Sequence, residues 1–197
     1  MEIFYHGTCR LFDKFDISYL GTGEGKSKFG NGIYITSSYD TAALYAAKAG
    51  KANGTDTIYV YTVEVPELTD DNHIFSCRPV HPSVIEKVEA LVGVIPDEAK
   101  AAGKLFRKYV GNLRVGRTGT VRQMTGKAEA DAENAASLLF DEIGLVYLAW
   151  PQAQTKPDGD TNRAVLDAAN IRIIKIEQVQ VNDKNKLIQG SQKEVTL

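Results

Sequence analysis

Three short stretches near the start of the chain decide its fold: Phe4-Tyr5-His6-Gly7-Thr8, Phe29-Gly30-Asn31-Gly32-Ile33-Tyr34-Ile35-Thr36 and Ala42-Ala43-Leu44-Tyr45-Ala46. The first is a short apolar run that ends at a glycine, which is typical of a β-strand. Asn31-Gly32 indicates a turn into a second strand over 33–36. The third follows Ser37-Ser38-Tyr39-Asp40, whose side chains can cap a helix, and we expect that helix to end at Gly50.

These stretches would bring an imidazole, an uncovered backbone and two aromatic rings close together. His6 is followed by Gly7, whose backbone carries no side chain, and by the hydroxyl of Thr8. Tyr34 would add a ring from the second strand, and Tyr45 would add one from the helix. Such a set suits a flat carboxamide ring, which can stack between tyrosines while its amide bonds to backbone groups at a glycine.

The order and spacing of these residues resemble the ADP-ribosyltransferase superfamily, on the branch shared by diphtheria-type toxins and poly(ADP-ribose) polymerases. The resemblance covers the first third of the chain and its last quarter. It implies an α+β fold of the split β-sandwich type, with NAD bound as co-substrate in a cleft between two small sheets. It further implies that His6 and Thr8 hold the ribose, that the Gly7 backbone holds the nicotinamide amide, and that Tyr34 and Tyr45 stack on the nicotinamide ring.

The third element of that family is a glutamate at the head of a late strand, and the matching segment here is Thr161-Asn162-Arg163-Ala164-Val165-Leu166-Asp167. Alignment on the strand places Asn162 where the glutamate would be, whereas another register would place Asp160 or Asp158 there. Asparagine can bond a ribose 2′-hydroxyl but offers no negative charge to an oxocarbenium-like transition state. The resemblance therefore implies mono-ADP-ribosyl transfer or NAD hydrolysis rather than polymer elongation. Phage and mobile-element members, some within polyvalent proteins, often lack the glutamate, and this chain resembles those most.

Two other functions remain open. A catalytically inactive module that binds NAD or an ADP-ribosylated partner would keep the cleft and lose the glutamate. An RNA 2′-phosphotransferase shares the fold and uses NAD, but it usually needs several basic residues, and Arg10 and Arg163 are the cleft arginines we can place. We assign Arg10 to NAD binding. The acceptor could be a protein side chain, a nucleic-acid base, a small molecule or water, and the sequence does not choose among them.

The middle of the chain has no counterpart in the resemblance. Residues 82–144 follow a helical pattern, and we interpret them as an insertion, with three helices, in a single domain of residues 1–197. The basic stretch over 111–127 carries Arg114, Arg117 and Arg122. Because target choice usually lies on segments added to a scaffold, we expect the insertion to govern the acceptor rather than NAD.

The remaining strands follow from alternation and β-branched content. Residues 57–65 give the clearest strand, and Pro66 ends it. Further strands are expected over 145–150, 163–166, 171–181 and 186–189. Residues 10–28 are predicted to form a long loop, anchored by the apolar side chains Phe12, Phe15 and Ile17.

Two other segments carry weaker motifs, one typical of phosphate binding and one of zinc binding. The segment Gly21-Thr22-Gly23-Glu24-Gly25-Lys26-Ser27 has three residues between its glycines where a phosphate-binding loop needs four. His73, Cys77 and His81 have the spacing of zinc ligands on one helix face, but Pro79 would disrupt that helix. We therefore expect no bound metal.

Composition sets broad limits on the function. The 197 residues carry a formal net charge of -2, so no overall electrostatic attraction to nucleic acid is expected. No signal peptide is visible, and no segment approaches the roughly 20 apolar residues of a membrane span. Two cysteines fit a reducing compartment, so we expect a cytoplasmic protein without a membrane partner. Nothing in the sequence indicates the oligomeric state.

Overall fold

The computed structural model describes residues 1–19, 29–117, 127–153 and 161–197, which form a mixed α/β fold around an eight-stranded sheet. The strands in chain order are β1 (Glu2–Thr8), β2 (Ile33–Thr36), β3 (Ile58–Val65), β4 (His73–Phe75), β5 (Tyr147–Pro151), β6 (Thr161–Val165), β7 (Arg172–Val179) and β8 (Lys193–Glu194). The α-helices are α1 (Tyr39–Asn53), α2 (Pro82–Val92), α3 (Asp97–Lys100), α4 (Gly103–Arg114) and α5 (Lys127–Glu142). An α+β class is therefore compatible with the architecture.

The sheet consists of two four-stranded halves that meet between β1 and β2. Its order is β4-β5-β6-β2-β1-β3-β7-β8, and all pairs are antiparallel except β4 with β5. β1 pairs with β3 at seven positions, and β2 pairs with β6 at four. Between the described strands β1 and β2 there is one paired position, Tyr5 with Thr36. The two halves therefore part toward the end of β1.

Strand register divides the side chains between two faces of the sheet, because successive residues of a strand point to opposite sides. On one side, which we call the helix face, α1 covers β3 and β7 in an alanine-rich core that includes Val60 and Val179. Helices α2 to α5 cover β5 and β6 in a second core, which includes Leu148 and Ala164. The boundary between these two cores lies over the boundary between β1 and β2.

The other side, which we call the loop face, has a single core that spans both halves of the sheet: Phe4, Ile33, Ile35, Tyr61, Val63, Val65, Tyr147, Val165 and Ile176. The chain after β1 folds back over it, and Phe12 and Phe15 pack against this core as the sequence predicted. The Tyr61 hydroxyl donates to the Phe12 carbonyl at 3.1 Å, and the two rings stack at 4.4 Å. The prediction for Ile17 was wrong: it is 45% exposed, in a 3-10 turn that leaves the sheet.

Helix α1 begins as predicted but ends later. Its N-cap is Ser38, whose hydroxyl accepts from the Thr41 amide at 3.3 Å. The helix passes through Gly50 and ends at Gly54, which adopts a left-handed conformation with φ of 68°. Gly50 instead allows a close approach within the helix: a Cβ there would lie 2.6 Å from the Thr55 carbonyl oxygen, where the chain turns back.

The middle of the chain contributes to the core rather than forming an appendage. It holds four described α-helices where three were expected, and their side chains form one core with β4, β5 and β6. Strand β4 was not predicted; its three residues pair with β5 in parallel, starting from His73 beside Tyr147. None of the described helices is long and apolar enough to cross a membrane.

One further strand prediction needs correction, and the zinc-like spacing can now be placed in the fold. The predicted strand over 186–189 forms only an isolated bridge, between Val181 and Leu187, and the last strand is β8 instead. The three residues with zinc-like spacing do not share a helix face: His73 lies in β4, Cys77 is exposed, and His81 caps the start of α2.

The close approach of α1 to β1 generates a prediction about stability. A Cβ on Gly7 would overlap the Ala42 carbonyl oxygen and lie 2.9 Å from the Ala46 amide nitrogen. Gly7→Ala should lower the free energy of unfolding by about 3 kcal/mol, because overpacking against backbone cannot be relieved by a side-chain rotation. Gly54→Ala is the control. Its Cβ meets open space, so the free energy of unfolding should fall by only about 1 kcal/mol, the strain of a left-handed backbone with a side chain.

Urea unfolding of the two variants and the parent measures the difference. An equal loss of stability in both variants would show that α1 can move away from β1 at little cost.

Candidate active site

His6 bridges the two halves of the sheet where they part. Its Nδ1 lies 2.8 Å from the carbonyl oxygen of Tyr34, and because a carbonyl only accepts, Nδ1 carries the proton. Burial lowers the pKa of His6, and the bond to the carbonyl opposes this effect only in part. The neutral ring then keeps Nε2 as a hydrogen-bond acceptor. The ring packs on the loop face, with the Phe15 ring edge-on at 5.1 Å.

Tyr34 holds the turn that precedes its own strand. Its hydroxyl donates to the Gly30 carbonyl oxygen at 2.8 Å, and its ring meets Trp150 edge-on at 5.2 Å. The Phe29 ring also contacts Trp150 and stacks on it at 4.2 Å with an interplanar angle of 4°. Burial raises the pKa of Tyr34 to about 12, so its hydroxyl stays protonated at neutral pH.

Asn162 lies in β6 between two strands of the same half. It pairs with Thr36 of β2 on one side and with Trp150 of β5 on the other, and it is buried. Residues paired across neighbouring antiparallel strands share a face, so Asn162 lies on the helix face, as Thr36 and Trp150 do. The alternative residues Asp158 and Asp160 lie outside the described residues, as does the loop over 21–27.

The other predicted site residues, Thr8, Arg10 and Tyr45, make no described contact with His6, Tyr34 or Asn162. Thr8 follows Gly7 at the end of β1, and its hydroxyl accepts from the Arg10 amide at 3.2 Å. Arg10 itself is exposed. Tyr45 is 50% exposed on α1, with the ammonium group of Lys48 at 5.4 Å from the ring centre.

Register places His6, Tyr34 and Asn162, which we expect to take part in catalysis, on two faces of the sheet. Because Tyr5 pairs with Thr36, His6 lies on the loop face, whereas Tyr34, two residues before Thr36, lies on the helix face. Asn162 shares the helix face with Tyr34. The geometry therefore places Tyr34 and Asn162 on one side, near Trp150, and connects His6 to them through the Tyr34 backbone.

Sequence reasoning missed Thr36 and Trp150, the strand partners of Asn162, and a hydrogen bond between β5 and α1. Gln152 follows β5 and donates to the hydroxyl of Thr41, in the first turn of α1. Thr36 and Thr41 are buried, and the rings of Trp150 and Tyr34 pack edge-on on the same face as Thr36. The sequence does show that a strand ends at Trp150-Pro151-Gln152. That Gln152 lies close to α1, however, depends on strand pairing across the sheet, which the sequence does not reveal.

An open cavity of about 560 Å³ lies elsewhere on the helix face. It is lined by residues of the start of α1, of β7 and of the segment that follows: Ser38, Tyr39, Asp40, Glu177, Leu187, Gln189 and Gln192. The Tyr39 hydroxyl donates to the Glu177 carboxylate at 3.1 Å, and Lys175 pairs with the same carboxylate. This cavity contains none of the predicted site residues. We place the candidate site where β1 and β2 part, because His6 and Gly7 of β1 adjoin Tyr34 of β2 there.

The described residues thus define a protein of the mixed α/β class, with a sheet that parts between β1 and β2 and a candidate site at that point. Comparison with family models, curated proteins and solved structures finds no significant match for this chain.

The buried Tyr34 hydroxyl predicts an alkaline pH dependence. Its pKa is about 12 in the folded chain against an ordinary value of 10, so rising pH favours the unfolded chain between these values. The stability contributed by Tyr34 is therefore complete below pH 10 and lost as pH rises toward 12. Tyr34→Phe should cost about 1–3 kcal/mol at neutral pH, because it leaves the Gly30 carbonyl without its donor.

Urea unfolding of parent and variant from neutral to alkaline pH tests this. The difference in the free energy of unfolding between the parent and Tyr34→Phe should narrow between about pH 10 and pH 12. Tyr45→Phe, at an exposed position, should be as stable as the parent throughout. A difference that stays constant to the end of the interval would contradict a buried Tyr34 phenol.

Proposed function

We propose that this protein cleaves the bond between nicotinamide and ribose in NAD and transfers ADP-ribose to an acceptor or to water. The observation that carries the proposal is the place where β1 and β2 part. There His6, Gly7 and Thr8 end one strand, and Tyr34 lies near the start of the other, tied to His6 by a 2.8 Å hydrogen bond. The family resemblance assigns NAD-binding roles to these same residues.

Each residue would have a role that fits its environment. The unprotonated Nε2 of His6 would accept from a ribose hydroxyl, and the Gly7 backbone would bond the carboxamide of nicotinamide. Tyr34 would present its ring, because its hydroxyl already donates to Gly30. The amide of Asn162 would align the 2′-hydroxyl of the reacting ribose.

The chemistry requires positioning more than proton transfer. The bond between the nicotinamide nitrogen and the anomeric carbon breaks, and nicotinamide leaves as a neutral molecule with the bonding electron pair. The nucleophile forms a new bond to the anomeric carbon; when it is water, it releases one proton, and the products are nicotinamide and ADP-ribose. Most of the rate enhancement would come from orienting the ribose and stabilising its developing positive charge.

Two alternatives are distinguished by observations on particular residues. A binding module without activity is favoured by an amide, not a carboxylate, at position 162. An RNA 2′-phosphotransferase is disfavoured, because Arg163 is buried on the loop face and pairs with Glu2 at 2.6 Å. Of the two arginines assigned to the cleft, only Arg10 is exposed, and that alternative usually needs several basic residues.

Position 162 gives the sharpest test of activity. Asn162→Glu should raise the rate of nicotinamide release by about 100-fold, because one preorganised electrostatic group is worth about 3 kcal/mol in a transition state. Asn162→Ala should lower kcat more than it weakens NAD binding, as expected for an interaction made in the transition state. Nicotinamide release from NAD, with and without cell lysate, is the measurement.

Asn162→Gln is the matched control, since it has the length of glutamate without the charge, and it should not accelerate the reaction. If Asp160 fills the third position instead, Asp160→Asn will abolish turnover and the Asn162 variants will behave like the parent. NAD binding without any turnover in parent and variants would favour the binding module.

The exposed Tyr45 gives a separate test of the nicotinamide stack. Tyr45→Ala should weaken NAD binding by about 0.5–1.5 kcal/mol beyond the lost contact area, whereas Tyr45→Phe, which keeps the ring, should bind as the parent does. Tyr34 is less suitable for this test because its hydroxyl also holds the turn at Gly30. Calorimetry that gives equal affinities for Tyr45→Ala and Tyr45→Phe would remove Tyr45 from the site.

A further inference from the structure

The turn before β2 is held from the side by helix α5. The backbone amide of Asn31 donates to the Ser137 hydroxyl at 2.9 Å, across 106 positions of sequence. Ser137 is buried in the middle of α5. On the strand side, the Gly30 carbonyl of the same turn accepts a hydrogen bond from the Tyr34 hydroxyl. The turn therefore connects α5 to the ring of Tyr34.

Gly30 allows this close approach. Its φ is +96°, and a Cβ there would lie 2.5 Å from the Leu148 side chain and 2.9 Å from the Ser137 hydroxyl. A left-handed glycine with neighbours on both sides fixes the path of the backbone, because other residues would be strained and would clash. The position of the Gly30 carbonyl, and hence of its bond to Tyr34, is set by the surrounding helices and strands.

A buried ion pair lies next to Ser137. Arg107 of α4 binds both carboxylate oxygens of Glu133 on α5, and the side chains are 3% and 5% exposed. Glu133 is four residues before Ser137, so both lie on the same side of the helix. The Arg107 side chain would lie 3.6 Å from a Cβ on Gly30, beside the turn. A buried, bidentate pair fixes α4 against α5 and so limits where Ser137 can lie.

We propose that Ser137, held by the Arg107–Glu133 pair, is a positioning residue for Tyr34. Its hydroxyl fixes the turn over 29–32, and the turn fixes the Tyr34 ring through the Gly30 carbonyl. The role of the middle helices in the candidate site is thus to orient the ring that contacts nicotinamide, an assignment that rests on the proposed function. It differs from the acceptor role expected from the sequence, which concerned Arg114, Arg117 and Arg122; Arg122 lies outside the described residues.

The test measures the Tyr34 ring directly and NAD binding separately. In protein labelled with ¹³C at the tyrosine ζ carbon, the Tyr34 signal is assigned by its loss in Tyr34→Phe. Ser137→Ala should shift that signal and lower the pKa of Tyr34 from about 12 toward its ordinary value, because a loosened turn admits water to the phenol. NAD affinity should fall about fivefold or more, the lower end of typical coupling between sites.

Two further variants separate positioning from general destabilisation. Ser137→Thr retains the hydroxyl and should restore both the Tyr34 signal and NAD binding. Leu139→Val, in the same helix and the same core, removes a buried methylene but keeps the Ser137 hydroxyl that holds the turn, so it should lower stability and leave the Tyr34 signal unchanged. Ser137→Cys, with a weak acceptor, replaces Ser137→Ala if the latter does not fold.

The outcomes distinguish this proposal from the proposed function. A Tyr34 signal in Ser137→Ala that matches the parent would overturn the positioning role, as would an equal shift in Leu139→Val. If the parent protein does not bind NAD, the proposed function fails, and the Tyr34 signal alone then decides whether Ser137 positions the ring.

Discussion

Among the residues that the structure describes, one paired position, Tyr5 with Thr36, joins the two halves of the sheet, and the rest of the structure depends on how that narrow junction is held. A single position provides few of the hydrogen bonds that a continuous ladder would give, and each is worth only about 1 kcal/mol net. The halves must therefore be held together by other contacts. The loop-face core spans both halves, and the bond from His6 to the Tyr34 carbonyl crosses the junction beside it.

In the described part of the chain, the helix face has no core that spans the junction; each half of the sheet is covered by its own helical layer. Helix α1 lies against β1 at Gly7, where its backbone approaches the strand too closely for a side chain. Helices α2 to α5 bury the apolar face of β4, β5 and β6, which would be left in water without them. The helices in the middle of the chain are thus required for the stability of one half, whatever further role they have in recognition.

The sequence was most informative where a local signal decided the structure. Strands β1, β2 and β3 and a helix cap within residues 37–40 were predicted from short patterns, because alternation, turn residues and capping side chains act over a few positions. Strand β4 could not be predicted from three residues, since it exists only by pairing with β5, far along the chain. The partner of Asn31 on α5 and the buried ion pair beside it depend on the same long-range packing.

The division of the candidate residues between two faces restricts what can bind. His6 on the loop face and Tyr34 on the helix face could not reach one ligand across a closed sheet, because the strands would separate them. They can do so only where β1 and β2 part, since the ligand then occupies the place of missing ladder bonds. Under the function proposed above, that ligand would be nicotinamide, whose planar amide edge would meet the backbone at Gly7.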